Sequence, residues 1–127
     1  MKEHISFTTG LFDSGKINNG DSVRIGEDLA RWFIKKSDGG EFAFSEPIQS
    51  SYGWADKVTA GGEEFRLGFG IRDGSVGSDY ADWRITIEKV NKWKLFGSKD
   101  SELRGRLCDL VHNVLRDEGQ IREVHWG

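Results

Sequence analysis

Cysteine and proline are nearly absent from this sequence, and each occurs once among its 127 residues, as Cys108 and Pro47. A single cysteine excludes an intrachain disulfide, and sparse cysteine is typical of a reducing compartment. No stretch approaches the ~20 consecutive apolar residues that a membrane-spanning helix needs. The first residues also lack the apolar run of a secretion signal. We therefore expect a cytoplasmic protein that has no membrane partner.

Aromatic residues, in contrast, are plentiful. Five Trp and eight Phe can bury much apolar surface with few side chains. The length fits one domain spanning residues 1–127, without a linker or a repeat. The formal net charge is −3, and an acidic chain of this kind argues against nucleic acid as the partner.

Hydrophobic periodicity predicts both helices and strands. Apolar residues spaced three and four apart predict helices at about 26–37 and 99–118. Strict alternation predicts strands, most clearly at 65–72 and 83–88. The glycine pair Gly61-Gly62 predicts a tight hairpin, and Pro47 predicts an edge strand or a strand end.

The resulting order, β-α-β-β-β-β-α-β, predicts an α+β fold. One face of each strand is apolar, and two amphipathic helices can cover that face. We expect a two-layer sandwich with a mostly antiparallel sheet of about five or six strands and two helices on one face. The predicted core comprises Trp32, Phe33, Phe65, Leu67, Phe69, Trp83, Ile85, Leu107, Leu110 and Val111.

Motifs that carry chemistry are incomplete. Residues 10–16 fit the phosphate-loop pattern G-x-x-x-x-G-K, but Ile17 stands where a Ser or Thr must hold Mg²⁺. Cys108 and His112 are one helical turn apart, which allows a thiolate–imidazole dyad but equally suits a small apolar Cys in a core. The three His residues do not have metal-ligand spacing. We expect no catalytic residue, no metal and no cofactor.

Two charged clusters have ordinary structural interpretations. Asp73, Asp79 and Asp82 share one loop, yet their spacing matches no calcium loop, and turns favour Asp. Basic residues surround Trp93 and Phe96 near the second helix, a pattern that can bind nucleic acid but is common at solvated junctions. They are Lys89, Lys92, Lys94, Lys99, Arg104 and Arg106.

The polar sides of two neighbouring strands suggest a binding surface. If one sheet face is covered by helices, the other is free for a partner. Glycines there leave room for close approach, and arginine holds carboxylates with its planar fork. The candidate partner-binding residues are Arg66, Gly68, Gly70, Arg72, Arg84 and Glu88.

Four segments resemble a pattern in small uncharacterised bacterial α+β proteins, in which a helix, an E-P…Y-G-W segment, a hairpin and a closing helix follow one another. The segments are GEDLARWFIKK at 26–36, SEPIQSSYGW at 45–54, EEFRLGFGIRDG at 63–74 and DWRITIE at 82–88. The resemblance implies a fold, carries no catalytic residues, and suggests an immunity-type or accessory role.

Two functions stay open at this point. The first is a non-enzymatic interaction protein that binds another protein, which the lack of a catalytic set favours. The alternative is a small-molecule-binding protein or enzyme with a pocket beside the 10–22 loop, because long loops are often functional. The sequence does not determine the partner, the ligand or the oligomeric state.

Overall fold

A computed structural model of the chain describes residues 2–15, 25–50, 53–90 and 102–127, without the side chain of Lys2. Two helices and seven strands lie in this part of the chain. In chain order they are β1 (Lys2–Thr9), α1 (Glu27–Ser37), β2 (Ala43–Phe44), β3 (Ile48–Ser50), β4 (Gly53–Ala60), β5 (Glu63–Ile71), β6 (Ala81–Val90), α2 (Glu102–Arg116) and β7 (Ile121–Trp126). The predicted α+β class is confirmed.

All strand pairs described are antiparallel, and the strands form one sheet in the order β2-β4-β5-β6-β1-β7. The short β3 pairs with β4 on the same edge as β2. Pro47 separates β2 from β3, which agrees with its predicted place on an edge strand because proline cannot donate to a ladder. The three-residue β3 was not predicted and accounts for the extra strand.

The Gly61-Gly62 hairpin forms as the sequence predicts. Both glycines have positive φ, 53° and 80°, as a two-residue hairpin turn demands. Ala60 pairs with Glu63 directly before and after the turn. This turn sets the register in which Phe65 lies opposite Val58 and Leu67 opposite Asp56.

Both helices pack against one face of the sheet, which we call the covered face. Leu29 and Phe33 of α1, and Leu107 and Val111 of α2, join the strand residues in one buried cluster. Eight of the ten predicted core residues are buried, whereas Trp32 and Leu110 pack at its margin and are partly exposed.

The helix ends partly match the prediction. Helix α1 runs from Glu27 to Ser37, with acids in its first turn and lysines in its last, a placement that the helix dipole favours. Helix α2 is described from Glu102, so the predicted start near residue 99 and the Ser98 cap lie outside the described residues. None of the helices described is long and apolar enough to cross a membrane.

Candidate functional site

The sheet face away from the helices, which we call the open face, collects the predicted binding residues. Residues paired directly across an antiparallel ladder project to the same side. Arg66 lies opposite Glu88, Gly68 opposite Thr86, and Gly70 opposite Arg84. From β4 to β7 the open face carries Lys57, Arg66, Gly68, Gly70, Arg84, Thr86, Glu88, His4, Ser6 and Arg122.

Two arginines on this face have no counter-ion among the residues that the structure describes. Arg66 and Arg84 are exposed, and neither forms an ion pair with another residue in the described part of the chain. Glu88 is half-buried and has an interaction of its own. The guanidinium groups of Arg66 and Arg84 are therefore available to carboxylates from outside.

Arg72 has a different role from the one expected. Although exposed, it donates from Nε to Asp82 Oδ2 at 2.9 Å, and its second nitrogen lies 2.6 Å from the same oxygen. Asp82 also accepts from the Thr8 hydroxyl at 2.7 Å. The hydrogen bond from Thr8 lowers the pKa of Asp82 most, and the bond from Arg72 lowers it further. Arg72 holds the loop before β6 in place and is only secondarily a surface cation.

Small residues line the open face beside the two arginines. Gly68 lies opposite Ala55 on β4, and Ala55 is buried. A Cβ on Gly68 would meet only Thr86 Cβ at 3.7 Å, an ordinary contact, and β5 pairs with both neighbours without a register shift. The strand therefore has neither a bulge nor crowding at Gly68, and what the glycine contributes is a low surface.

Sequence reasoning missed a third arginine on the open face that has no ion pair with a described residue. Arg122 of β7 lies opposite Thr8, is exposed, and forms no ion pair with a described residue. Strands are ~4.8 Å apart and same-face residues ~6.7 Å apart along a strand. The register therefore places Arg66, Arg84 and Arg122 along a diagonal with steps of about 12–14 Å. The alternation of β7 was visible in the sequence, but its pairing with β1 was not.

A cleft opens at the end of the sheet, beside the loop after β1. It has a volume of about 420 Å³. Three separate loops build the cleft, so it could not be predicted from the sequence. Its lining residues are Gly10, Asp79, Tyr80, Gly119, Gln120 and Arg122.

Hydrogen bonds join the loops around this cleft. Ser14 donates from its hydroxyl to the Ser78 carbonyl at 2.6 Å, and the Gly77 amide donates to the Ser14 carbonyl at 2.8 Å. Thr9 donates to the Gln120 carbonyl at 2.8 Å. Ser14 thus joins the described part of the predicted 10–22 loop to the loop before β6, and Thr9 joins the end of β1 to the loop before β7. Residues 16–22 lie outside the described part.

The possible Cys108–His112 dyad does not form. Cys108 Sγ donates to Glu3 Oε2 at 3.1 Å, and burial together with Glu3 raises the pKa of the thiol to about 12. His112 accepts a hydrogen bond from Trp126 Nε1 at 3.2 Å and stacks on that ring. Because a nucleophilic Cys needs its thiolate form, Cys108 belongs to the packing between helix and sheet.

Arg104 pairs with Glu3 on the covered face, the same carboxylate that accepts from Cys108. The distance from Arg104 to Glu3 Oε1 is 2.8 Å, and the Arg104 side chain is only 8% exposed. Lys89 pairs with Glu63, and Arg106 pairs with Glu41. The described members of the predicted basic cluster are therefore engaged with carboxylates, and Lys92, Lys94 and Lys99 lie outside the described residues.

One acid stands out on the covered face. Asp56 lies opposite Leu67 and is buried, and its Oδ1 accepts from the Ser45 hydroxyl at 2.7 Å. Burial raises its pKa to about 6. Neither this acid nor Asp73, Asp79 and Asp82 belong to a group of three metal-ligating side chains in the described ranges.

Comparison with known proteins gave no relative. No family model, no curated protein and no solved structure matches this chain. Function is therefore inferred from the charge and shape of the described residues.

Proposed function

We propose that this chain is a non-enzymatic binding protein whose open face docks onto an acidic surface of another protein. One observation carries the proposal: Arg66 and Arg84 are exposed on a sheet face that neither helix covers, and they lack counter-ions among the described residues. A chain of net charge −3 that presents cations together on one face has a surface complementary to carboxylates.

The chemistry of the face suits carboxylates. Guanidinium stays protonated at all physiological pH values and can bind a carboxylate through two parallel hydrogen bonds. Gly68 and Thr86 lie between the two arginines and are small, so a partner's surface can reach both guanidinium groups there.

The dimensions favour a protein over a small molecule. The diagonal from Arg66 to Arg122 spans about 25 Å by strand spacing, close to the width of the ~800 Å² patch that each partner contributes to an ordinary protein interface. A small ligand would contact only one of these cations. The resemblance to small bacterial α+β proteins supports an immunity-type role, in which this chain binds and blocks its partner.

The test is a double charge reversal, Arg66→Glu with Arg84→Glu. We expect the affinity for a partner captured from the native host and then purified to fall by at least about tenfold, equivalent to ~1.4 kcal/mol. Exposed substitutions usually alter stability by less than ~0.5 kcal/mol, so the melting temperature should hardly move. Affinity is measured by calorimetric titration at two salt concentrations.

The matched control reverses two exposed lysines at the end of α1, Lys35→Glu with Lys36→Glu, and so changes the net charge equally. The control should bind the partner almost as the wild type does. An equal loss of affinity in both variants would mean that net charge, and not the position of the arginines, causes the effect. Unchanged binding by the open-face variant, or a wild-type protein that captures no partner, would contradict the proposal.

A further inference from the structure

We propose that the cleft between the three loops is a second binding site, which takes a neutral polyhydroxylated ligand of the saccharide class. This proposal goes beyond the open-face docking and does not depend on it. It rests on the size of the cleft, an exposed aromatic ring and the charge balance of the lining.

The cleft is large enough and firmly built. Its volume of about 420 Å³ falls within the range of small-molecule sites, ~300–1,000 Å³. The loops that form it are joined by the hydrogen bonds of Thr9, Ser14 and Gly77. Because those loops are already tied together, a ligand would spend little binding energy on ordering them.

Tyr80 supplies an aromatic platform. It is 74% exposed, and its ring edge lies above Gly10, where an added Cβ would be 3.6 Å from Cδ1 and Cε1. The same Cβ would lie only 2.6 Å from the Asp79 carbonyl oxygen, so Gly10 is the residue that permits this close approach. An exposed ring can stack on the apolar C–H face of a sugar while its hydroxyl stays in water.

The polar side chains of the lining select for a neutral ligand. Arg122 offers only donors, Asp79 when ionised offers only acceptors, and Gln120 offers both. The two charged residues are opposite in sign, so an anion would be repelled by Asp79 and a cation by Arg122. Asp79 has an interaction of its own within the protein, so neighbouring hydroxyl groups, which donate and accept at once, would bind Arg122 and Gln120.

The experiment is a titration of the ¹⁵N-labelled protein, followed by amide chemical shifts. Glucose, N-acetylglucosamine and cellobiose are the neutral probes; glucuronate and glucosamine are the charged ones. We expect at least one neutral probe to shift the amides of Gly10, Tyr80, Gly119 and Gln120, with a dissociation constant of about 1–10 mM. Tyr80→Ala should abolish these shifts, and Tyr80→Phe, which keeps the ring, should retain them.

Each other outcome overturns the proposal. Absence of localised shifts up to about 50 mM of every neutral probe, or equal shifts in Tyr80→Ala, would mean that the cleft is not such a site. Binding of glucuronate or glucosamine at least about tenfold tighter than the neutral sugars would refute the charge balance. The Arg66→Glu, Arg84→Glu variant should keep the sugar-induced shifts, so failure here is distinct from failure of the open-face proposal.

Discussion

The two faces of this sheet treat charge in opposite ways. On the covered face, Arg104 is paired with Glu3 and Asp56 has its pKa raised to about 6. On the open face, Arg66 and Arg84 are exposed without a counter-ion in the described part of the chain. Burial demands a partner or a proton for each charge, whereas water solvates the exposed arginines at no such cost. Charges on the covered face should therefore matter for folding, and those on the open face for binding.

The largest expected effect that separates the two faces is in packing. Phe69 is buried on the covered face and contacts the Phe33 ring, with 5.9 Å between centroids. Phe69→Ala should lower the free energy of unfolding by about 3–5 kcal/mol because it leaves a cavity. Arg84→Ala, on the neighbouring strand of the open face, should change it by less than ~0.5 kcal/mol. Urea unfolding of both variants measures the difference, and a Phe69→Ala protein as stable as wild type would show that the two faces are assigned the wrong way round.

A second comparison uses two arginines of the same helix, each paired to a glutamate. Arg104 is 8% exposed and bonded to Glu3, whereas Arg106 is 50% exposed and bonded to Glu41. Arg104→Gln should destabilise the protein by about 1–3 kcal/mol because it leaves a partly buried carboxylate without its cation. Arg106→Gln should cost under about 0.5 kcal/mol because water screens that pair. Thermal and urea unfolding of the two variants decide this, and equal costs would mean that burial of Arg104 is energetically unimportant.

A smaller effect, dependent on pH, should separate the two aspartates Asp56 and Asp82. Between about pH 4 and pH 6, Asp56 is protonated in the folded state but ionised in the unfolded state. Protonation of Asp56 therefore favours folding at low pH, and this contribution to stability is lost as the pH rises. Relative to Asp56→Asn, the wild type should gain about 1–2 kcal/mol on acidification from pH 7 to pH 4. Unfolding curves of both proteins across this range measure the gain.

Asp82→Asn is the control of opposite sign. Because hydrogen bonds from Thr8 and Arg72 lower the pKa of Asp82, this acid stabilises the fold above its unfolded pKa of ~3.9 and loses that contribution as the pH falls through its folded value. The wild type should therefore lose its advantage over Asp82→Asn on strong acidification. If the stability difference from wild type changed with pH in the same direction for Asp56→Asn and Asp82→Asn, the two aspartates would not differ as proposed.

The strands and helices were predictable because their signals are local. The alternation of Phe65, Leu67 and Phe69 with Arg66 and Gly68 is enough to assign both faces of β5. The hairpin between β4 and β5 was predictable from its glycine pair alone. Ser51 and Tyr52, just before β4, lie outside the described residues. The short β3 escaped prediction because three residues after a proline are too few to show a period.

The charged residues of the covered face and the cleft were not predictable in the same way. Glu3 and Asp56 fall at covered-face positions of β1 and β4, where alternation calls for apolar residues. Their partners are Arg104 of α2 and Ser45 of the segment between β2 and β3. The cleft needs Tyr80 and Arg122 to meet across two loops. Such contacts depend on the register of paired strands and on loop geometry, which one sequence does not encode locally.

The position of β1 within the sheet has a kinetic consequence. This strand lies between β6 and β7, so Thr9 pairs with Ala81 on one side and Ile5 with Trp126 on the other. Its ladder partners are therefore synthesised long after it, and closing such long loops is entropically slow. On the ribosome, the hairpin of β4 and β5 can form early, while β1 keeps an unpaired edge until the last strand emerges. During that interval the nascent chain is most exposed to aggregation and most dependent on chaperones.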